Sequence, residues 1–169
     1  RVPLKLNSIV ICYSESVQAF TSFYSFATPI FMDLQDKLLS VNPSYNKHVY
    51  LHNTGNISDW YGTTHQSSVK FITNKSPLNT KVFDNYEWHT EALNNNEENI
   101  PDVTWDQVDC ENDYQFNEVK LYPTTNTKRR ERTWKTSIVR DAEDKTRFRD
   151  KYLISTFYFN NTIHTNTRF

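Results

Sequence analysis

The stretch at residues 151–160, KYLISTFYFN, restricts the possible folds of this chain more than any other feature. Its side chains alternate between two faces with the two-residue period of a β-strand, and both faces include apolar residues. One face carries Leu153, Ser155, Phe157 and Phe159, and the other carries Tyr152, Ile154, Thr156 and Tyr158. Because such a strand can bury both faces, we predict that it lies in the centre of a sheet.

The same alternation recurs along most of the 169 residues, which predicts a mainly β protein. Aromatic residues make up 15% of the chain although hydrophobic residues make up only 37%, and aromatic side chains favour strands. Candidate strands are SIVICYS, IFMDL, KLLSV, HVYLH, SSVKFIT, KVFDNYEWHTE, DVTWDQVDC, YQFNEVKLYP and RTWKTSIVR. We expect antiparallel strands in barrel-like, propeller-like or sandwich sub-lobes, with little helix beyond a turn near residues 141–146.

Turn-rich sequences separate these candidate strands. NTGN and NKSPLN divide HVYLH, SSVKFIT and KVFDNYEWHTE, so these three segments are predicted to form successive hairpins. SIVICYS has apolar residues on both faces and is predicted to be buried on both sides. The segment ALNNNEENIPD predicts a flexible polar connector at residues 94–101, between an aromatic-rich β lobe at 1–93 and a C-terminal β lobe at 102–169 with acidic and then basic strands.

Charge is divided into two opposite blocks. From Asp84 to Glu118 there are eleven acidic residues and no Lys or Arg, whereas Lys120 to Lys151 holds eleven basic residues and five acidic ones. Blocks of opposite sign can pair within a chain or orient one copy against the next. We interpret the pattern as a signal for assembly.

Sequence motifs for cofactor, metal or catalytic chemistry are missing. With Gly55 and Gly62 as the only glycines, neither the GxGxxG nor the GxxxxGK[ST] phosphate loop can form, and a GxSxG nucleophile elbow is also excluded. The two cysteines lack CxxC spacing, the histidines lack zinc-ligand spacing, and the acidic series beginning at Asp109 lacks the glycine and the final glutamate of an EF-hand. We therefore predict a protein that is not an enzyme and has no cofactor or metal site. No apolar run approaches the roughly 18 to 20 residues that span a bilayer.

The basic segments KRRERTWK and RFRDK admit two interpretations. Beside Trp134 and Tyr152 they could bind single-stranded nucleic acid, but interleaved acidic residues and a pI near 6.6 favour Arg–carboxylate pairing, within the chain or between copies. The candidate assembly and ion-pair residues are Arg129, Arg130, Arg132, Arg140, Asp141, Arg147, Arg149 and Asp150. The predicted core aromatics are Trp88, Trp105, Trp134, Phe157 and Phe159.

These segments also carry a family resemblance. The ordered series DYQ, RRxRxW, RD and RxRDKYL, found here in ENDYQFNEVKLYP, RRERTWKTSIVRD and RFRDKYLISTFYFNN, resembles the C-terminal region of the muzzle, or "stabilisation", tail proteins of crAss-like podoviruses of Bacteroidetes hosts. FTSFYSFATPIFMDL, KHVYLHNTGN, WYGT and KVFDNYEWHTEA are similar to aromatic β segments of the same family. The chain departs from the pattern at Val139, where a proline is expected before the Arg-Asp pair, and we expect the start at Arg1 and the end at Phe169 to mark a piece of a longer polypeptide.

The resemblance implies a non-enzymatic virion protein of the phage tail. It implies a homo-oligomeric ring around the DNA-exit channel, assembled in the cytoplasm of the bacterial host and in contact with neighbouring tail proteins or the remainder of its own parent chain. Channel DNA would be only a transient partner, and no membrane span is implied.

Two other functions stay open at this point. A carbohydrate-binding or host-surface adhesin module of a phage tail would use Trp60, Tyr61, Trp88 and Trp105 as stacking platforms, although aromatics spaced along strands more often belong to a core. A hydrolase on a β scaffold is the third alternative, for which the sequence offers no motif.

Overall fold

The structure is a computed structural model that describes residues 10–24, 28–42, 48–164 and 167–169. Within these ranges the regular structure consists of strands that pair antiparallel in open sheets, which confirms the prediction of a mainly β protein. The helical turn expected at residues 141–146 is a short turn over 142–144 instead. The chain divides into two compact units, residues 1–55 and residues 56–169.

The N-terminal unit, residues 1–55, contains two small sheets. Strands β1 (Val10–Ser14) and β2 (Ala19–Tyr24) form a hairpin, and β3 (Phe31–Leu34), β4 (Lys37–Val41) and β5 (Val49–Leu51) form a three-stranded meander that we call sheet C. The two-residue turn between β3 and β4 places Gln35 and Asp36 at positive φ, the geometry of a type I′ turn. The prediction that SIVICYS is buried on both sides is wrong for its described part, because β1 pairs only with β2 among the described strands and leaves Ile11 44% and Tyr13 52% exposed. Ser8 and Ile9 lie outside the described residues.

The larger of the two main sheets in the C-terminal unit, residues 56–169, has four strands and is called sheet A. Its order is β14 (Phe116–Lys120), β13 (Gln107–Glu111), β18 (Leu153–Phe159) and β8 (Ser67–Thr73). Strand β18, from the segment KYLISTFYFN, lies between two neighbours and buries one face completely and the other partly. The predicted central strand is therefore confirmed.

The second main sheet, sheet B, has three strands in the order β10 (Asn85–His89), β16 (Thr133–Ser137) and β15 (Thr127–Arg130). The turn between β15 and β16 places Glu131 and Arg132 at positive φ and so also has type I′ geometry. Three short pairs complete the unit: β6 (Asp59–Trp60) with β7 (Thr63–Thr64), β9 (Lys81–Val82) with β17 (Arg149–Asp150), and β11 (Ala92–Leu93) with β12 (Asn99–Ile100).

The core of the C-terminal unit lies between sheets A and B, as in a β-sandwich. Val108, Cys110, Leu153 and Phe157 of sheet A pack in one cluster with Tyr86 of sheet B. The Tyr86 hydroxyl lies 2.6 Å from Ser155 Oγ and 3.2 Å from Cys110 Sγ, so its polar end is satisfied inside the core. Aromatic rings surround Phe157: its centroid is 5.5 Å from those of Phe71 and Trp88, 5.4 Å from Tyr86 and 5.9 Å from Trp105.

Pairing between distant strands corrects one sequence prediction. HVYLH, SSVKFIT and KVFDNYEWHTE do not pair with one another as successive hairpins, because β5 pairs with β4, β8 with β18 and β10 with β16. Residues 94–101 form the turn and second strand of the β11–β12 hairpin, with Asn94 Oδ1 accepting the N–H groups of Asn96 and Glu98 at 2.9 Å. Residues 94–101 belong to the C-terminal unit, and the chain divides into its two units between residues 55 and 56.

Candidate assembly interface

The two main sheets of the C-terminal unit expose faces of opposite charge. Side chains alternate along each strand, so the residues between those of the core point away from it, and sheets A and B present their outer faces in opposite directions. The outer face of sheet A, called the acidic face, carries Asp109, Glu111 and Glu118 together with two lysines, Lys70 and Lys120. The outer face of sheet B, called the basic face, carries Lys128, Arg130 and Lys135 together with one carboxylate, Glu87.

A like-charge pair lies at the centre of the acidic face. Asp109 of β13 is directly opposite Glu118 of β14 in the strand register. Asp109 accepts a hydrogen bond from the Gln107 amide at 2.7 Å, and its proximity raises the pKa of the Tyr158 phenol. The Glu118 carboxylate has no hydrogen-bond or ion-pair partner among the described residues. Because like charges opposite each other destabilise a sheet, this pair favours binding of an external cation group.

One ion pair anchors the edge of the acidic face. Lys70 Nζ on β8 lies 2.7 Å from Glu111 Oε1 on β13, with β18 between the two strands. The hydrogen bond to Glu111 and its negative charge raise the pKa of Lys70. Both side chains are well exposed to solvent, so the pair positions charge on the surface and adds little to stability.

A pair of positive charges lies on the basic face. Lys128 of β15 is directly opposite Lys135 of β16. Lys135 Nζ also lies 2.5 Å from Glu87 Oε1 on β10, and this hydrogen bond lowers the pKa of Glu87. Within the described part of the chain, no carboxylate lies within ion-pair distance of Lys128 or Arg130. The basic face therefore carries more cations than it can neutralise from its own strands.

The arginines predicted from the sequence fall into three groups. Arg132 and Arg147 make exposed ion pairs within the chain, with Glu91 at 3.9 Å and Asp84 at 3.6 Å. Three others do not make ion pairs with carboxylates among the described residues: Arg130, Arg140 and Arg149. The Arg140 guanidinium instead donates to the carbonyl of Lys145 at 3.3 Å.

Arg129 has a different role from the other arginines. Its side chain points inward from β15, donates a hydrogen bond to the carbonyl oxygen of Pro101 and lies over the Trp134 ring, 5.6 Å from the ring centroid. This is a cation–π arrangement. The buried Trp134 ring is thereby covered by a cation and by the segment that precedes β13, so it offers no free stacking surface for a nucleobase.

The two predicted acidic residues act locally. The buried Asp141 carboxylate accepts the N–H groups of Phe116 at 2.8 Å, Glu143 at 2.9 Å and Asp144 at 3.0 Å. These donors, Phe116 first, lower the pKa of Asp141 and hold the turn at 142–144 against the start of β14. Asp150 Oδ1 accepts the N–H of Lys151 at 2.5 Å, and its other oxygen is buried without a partner among the described residues.

The predicted core aromatics are placed at two levels of burial. Trp134, Phe157 and Phe159 are buried, whereas Trp88 and Trp105 are half-buried and pack against the Phe157 ring. Trp88 Nε1 donates to Thr104 Oγ1 at 2.8 Å. These two indoles therefore pack against the core with one part of the ring and leave the rest exposed to solvent.

The core of the C-terminal unit contains one buried thiol, that of Cys110. Cys110 is fully buried, and burial raises the pKa of its thiol to about 11, so it is uncharged at neutral pH. The described residues contain no cluster of three His, Cys, Asp or Glu side chains that could hold a metal ion. They also include no apolar helix of membrane-spanning length.

Several residues of the two faces were missed in the sequence analysis. Lys70 was not singled out, and Glu111, Glu118, Lys128 and Lys135 were considered only as members of longer charged segments. Strand alternation gave a usable signal, because Asp109 and Glu111 are two residues apart and so lie on one face of β13. The cross-strand register, which brings the like charges together, was not readable from the sequence.

The sandwich core and the opposed charged faces define an all-β domain with two surfaces of opposite charge. Residues 55–141, just over half of the chain, match the family model of the crassvirus muzzle protein C-terminal domain. The chain therefore belongs to this family, and family membership identifies it as a structural component of a phage virion tail. No curated protein matches the chain.

Proposed function

We propose that this chain is a non-enzymatic subunit of a muzzle ring that surrounds the DNA-exit channel of a short phage tail. The single observation that carries the proposal is the pair of opposed faces on the C-terminal unit, one with a carboxylate pair and the other with a lysine pair at its centre. The membership of the chain in the muzzle family supports the same conclusion.

Opposed complementary faces favour head-to-tail contacts. If the acidic face of one copy meets the basic face of the next, Asp109 and Glu118 gain cations, and Lys128 and Lys135 gain carboxylates. Each contact then uses two different surfaces, which is a heterologous interface, and such interfaces close into rings when the rotation between copies allows it. The charges set the orientation and speed of association more than its affinity.

The same faces argue against stable DNA binding. The basic face has no exposed tryptophan, because Trp134 points into the sandwich, and Glu87 neutralises part of its charge. We therefore propose that DNA in the channel contacts this protein only transiently. The stable partners are then further copies, the rest of a longer parent chain or neighbouring tail proteins. Assembly takes place in the host cytoplasm.

Charge reversal tests the interface. Arg130→Glu and Glu118→Lys each reverse an exposed charge that has no ion-pair partner among the described residues, so each should weaken self-association while leaving the unfolding midpoint nearly unchanged. An equimolar mixture of the two variants should recover part of the association, because half of the possible contacts regain opposite charges. Lys151→Glu is the matched control, since it reverses a charge of the same basic block away from sheet B.

Sedimentation velocity at two salt concentrations measures this effect. We expect the association constant of each single variant to fall at least about fivefold at low salt and less at high salt, because salt screens exposed charge. Equal association of wild type, both variants and the control would contradict the use of these faces. A parent polypeptide that forms no closed ring in electron micrographs would contradict the proposed function itself.

A further inference from the structure

A cavity of about 300 Å³ lies at one end of the basic face. Its wall includes Asn85 of β10 and Ser137 of β16, which are directly opposite each other in the register of sheet B. Their chain neighbours Tyr86 and Thr136 are buried, so the two side chains project from the outer face, on the same side as Lys135. The cavity is therefore continuous with a surface that the proposed function assigns to contacts between copies.

Two arginines line this cavity from the loop 140–147, which lies between β16 and β17. They are Arg140 and Arg147, and Asp84 is the single acidic residue among the lining residues. Arg147 Nη1 lies 3.6 Å from Asp84 Oδ1, beyond hydrogen-bond distance, and the Arg147 guanidinium has no hydrogen-bond acceptor among the described residues. The Arg140 guanidinium donates one hydrogen bond, to the carbonyl of Lys145 at 3.3 Å. Each guanidinium has five N–H donors, so most of the donors at this cavity are unused.

The loop backbone fixes the positions from which the two arginine side chains extend. The N–H of Asp141 donates to the carbonyl of Thr146 at 2.9 Å, which closes the loop directly inside the two arginines. The side chain of Gln115 donates to the carbonyl of Arg147 at 2.9 Å. Fixed attachment points lower the conformational entropy that a binding site loses when a ligand occupies it.

The acidic side chains of the loop do not neutralise these arginines. The Asp141 carboxylate accepts three backbone N–H groups, and Asp144 Oδ1 accepts the N–H and the hydroxyl of Thr146 at 3.0 and 2.7 Å. Among the described residues, no carboxylate of the loop is within ion-pair distance of either arginine. Ser137 Oγ lies 3.4 Å from Asn85 Oδ1, which leaves the Asn85 amide nitrogen as a further donor. The cavity therefore presents an excess of hydrogen-bond donors and of positive charge.

We propose that the cavity lined by Arg140 and Arg147 binds the carboxylate of an aspartate or glutamate side chain from a neighbouring copy. A carboxylate is planar and accepts two parallel hydrogen bonds from one guanidinium, which is the geometry that arginine favours. The acidic face offers Glu118, whose carboxylate has no partner among the described residues. The inference rests on the head-to-tail contact of the proposed function and gives that contact a specific anchor, whereas the lysine pair gives only a general attraction.

A DNA phosphate is the other anion that a pair of arginines binds. Asp84 on the wall of the cavity and Glu87 on the adjoining face both repel a continuous chain of phosphates. A single carboxylate reaches the arginines without placing further negative charge beside Glu87. The arrangement of charge therefore favours a protein partner.

Titration with sodium propionate measures carboxylate binding directly, because propionate reproduces the end of a glutamate side chain. The full chain is observed by NMR through the side-chain N–H signals of its arginines, at an ionic strength held constant with sodium chloride. We expect saturable shifts of the Arg140 and Arg147 signals and none of the Arg149 signal, because Arg149 does not line the cavity. Arg140→Gln and Arg147→Gln should each weaken propionate binding at least about fivefold, whereas Arg149→Gln should leave it unchanged.

Two results of this titration would overturn the proposal. The first is the absence of saturable propionate binding. The second is tighter binding of dimethyl phosphate at the same two arginines, because dimethyl phosphate carries the single charge of a DNA backbone phosphate.

Sedimentation velocity connects the cavity to self-association. Arg147→Gln should lower the association constant at least about fivefold, and Arg147→Lys should restore only part of the loss, because lysine keeps the charge but not the planar group. Arg149→Gln is the matched control and should associate like the wild type. Chemical denaturation checks that each variant unfolds at the wild-type midpoint, and Arg140→Gln repeats the test at a second position. Equal association of all these proteins would contradict the use of the cavity.

The outcomes separate this inference from the proposed function. Loss of association in Arg130→Glu but not in Arg147→Gln overturns the cavity as an anchor and leaves the charged faces standing. Loss in Arg147→Gln but not in Arg130→Glu supports the cavity and removes the rest of the basic face. Saturable propionate binding by a chain whose parent polypeptide also stays monomeric keeps the carboxylate site but overturns both the ring and the neighbouring copy as its partner.

Discussion

The N-terminal and C-terminal units of this chain are both built from short antiparallel strands, but they differ in how far they bury their apolar side chains. In the described part of the N-terminal unit Ser40 is the only buried residue, and the exposed large side chains include Ile11, Phe20 and Leu34. In the C-terminal unit two sheets enclose a cluster that contains Phe148, Leu153 and Phe157 at 0 to 2% exposure. Apolar composition alone therefore does not make a core, because strands bury side chains only when a second layer covers them.

Separate expression of the two units is the strongest test of this difference. Residues 56–169 should unfold in a single cooperative transition, because their sheets share one core. Residues 1–55 should show no cooperative transition, because most of their described large apolar side chains are exposed to solvent. Denaturant titrations followed by circular dichroism measure both. A 1–55 fragment that unfolds cooperatively would contradict this difference between the two units.

Truncation of the central aromatic should produce the largest single-residue effect. Phe157→Ala removes a buried ring that contacts four other aromatic rings, so the free energy of unfolding of the C-terminal unit should fall by about 3 to 5 kcal/mol. Phe20→Ala in β2 is the control in the N-terminal unit, where the side chain is 68% exposed and the change should stay within about 0.5 kcal/mol. Similar losses for both would show that the N-terminal unit has a core.

Alkaline pH should lower the free energy of unfolding of the C-terminal unit, because the Cys110 thiol then ionises. Its thiol has a pKa raised from 9.0 to about 11 by burial, so the neutral thiol stabilises the fold below pH 9 and this contribution is lost as the pH rises towards 11. The loss should reach about 2 kcal/mol near pH 11. Urea midpoints at pH 8 and pH 11 should differ more for the wild type than for Cys110→Ala. Equal losses of stability in the wild type and in Cys110→Ala would exclude this thiol as the cause.

Removal of one buried hydroxyl should have the smallest of these effects. Tyr86→Phe leaves Ser155 Oγ and the Cys110 thiol without their shared partner, so the free energy of unfolding should fall by about 1 to 2 kcal/mol. Tyr122→Phe is the matched control, because Tyr122 is exposed on the surface of the same unit and should change stability by less than about 0.5 kcal/mol. A neutral Tyr86→Phe would mean that Ser155 and Cys110 find other partners.

Local sequence patterns predicted structure correctly where that structure depends on residues close together in the chain. The alternation in KYLISTFYFN predicted β18 and its central position in a sheet. The β15–β16 hairpin was missed because Glu131 and Arg132 adopt positive φ without the Asn or Gly that usually signals such a turn. The hairpin in residues 94–101 was missed because its asparagines resemble those of a linker, whereas Asn94 closes the turn.

The sequence by itself determined that this protein is built from strands, which strand can bury both faces, and which family it resembles. These properties follow from the order of side chains along a few residues and from short motifs. The tertiary structure alone decided that β8 pairs with β18, that Asp109 lies opposite Glu118, and that Lys128 lies opposite Lys135. Strand partners and register depend on hydrogen bonds and packing between segments far apart in the chain, and a one-residue change of register would move each of these side chains to the other face.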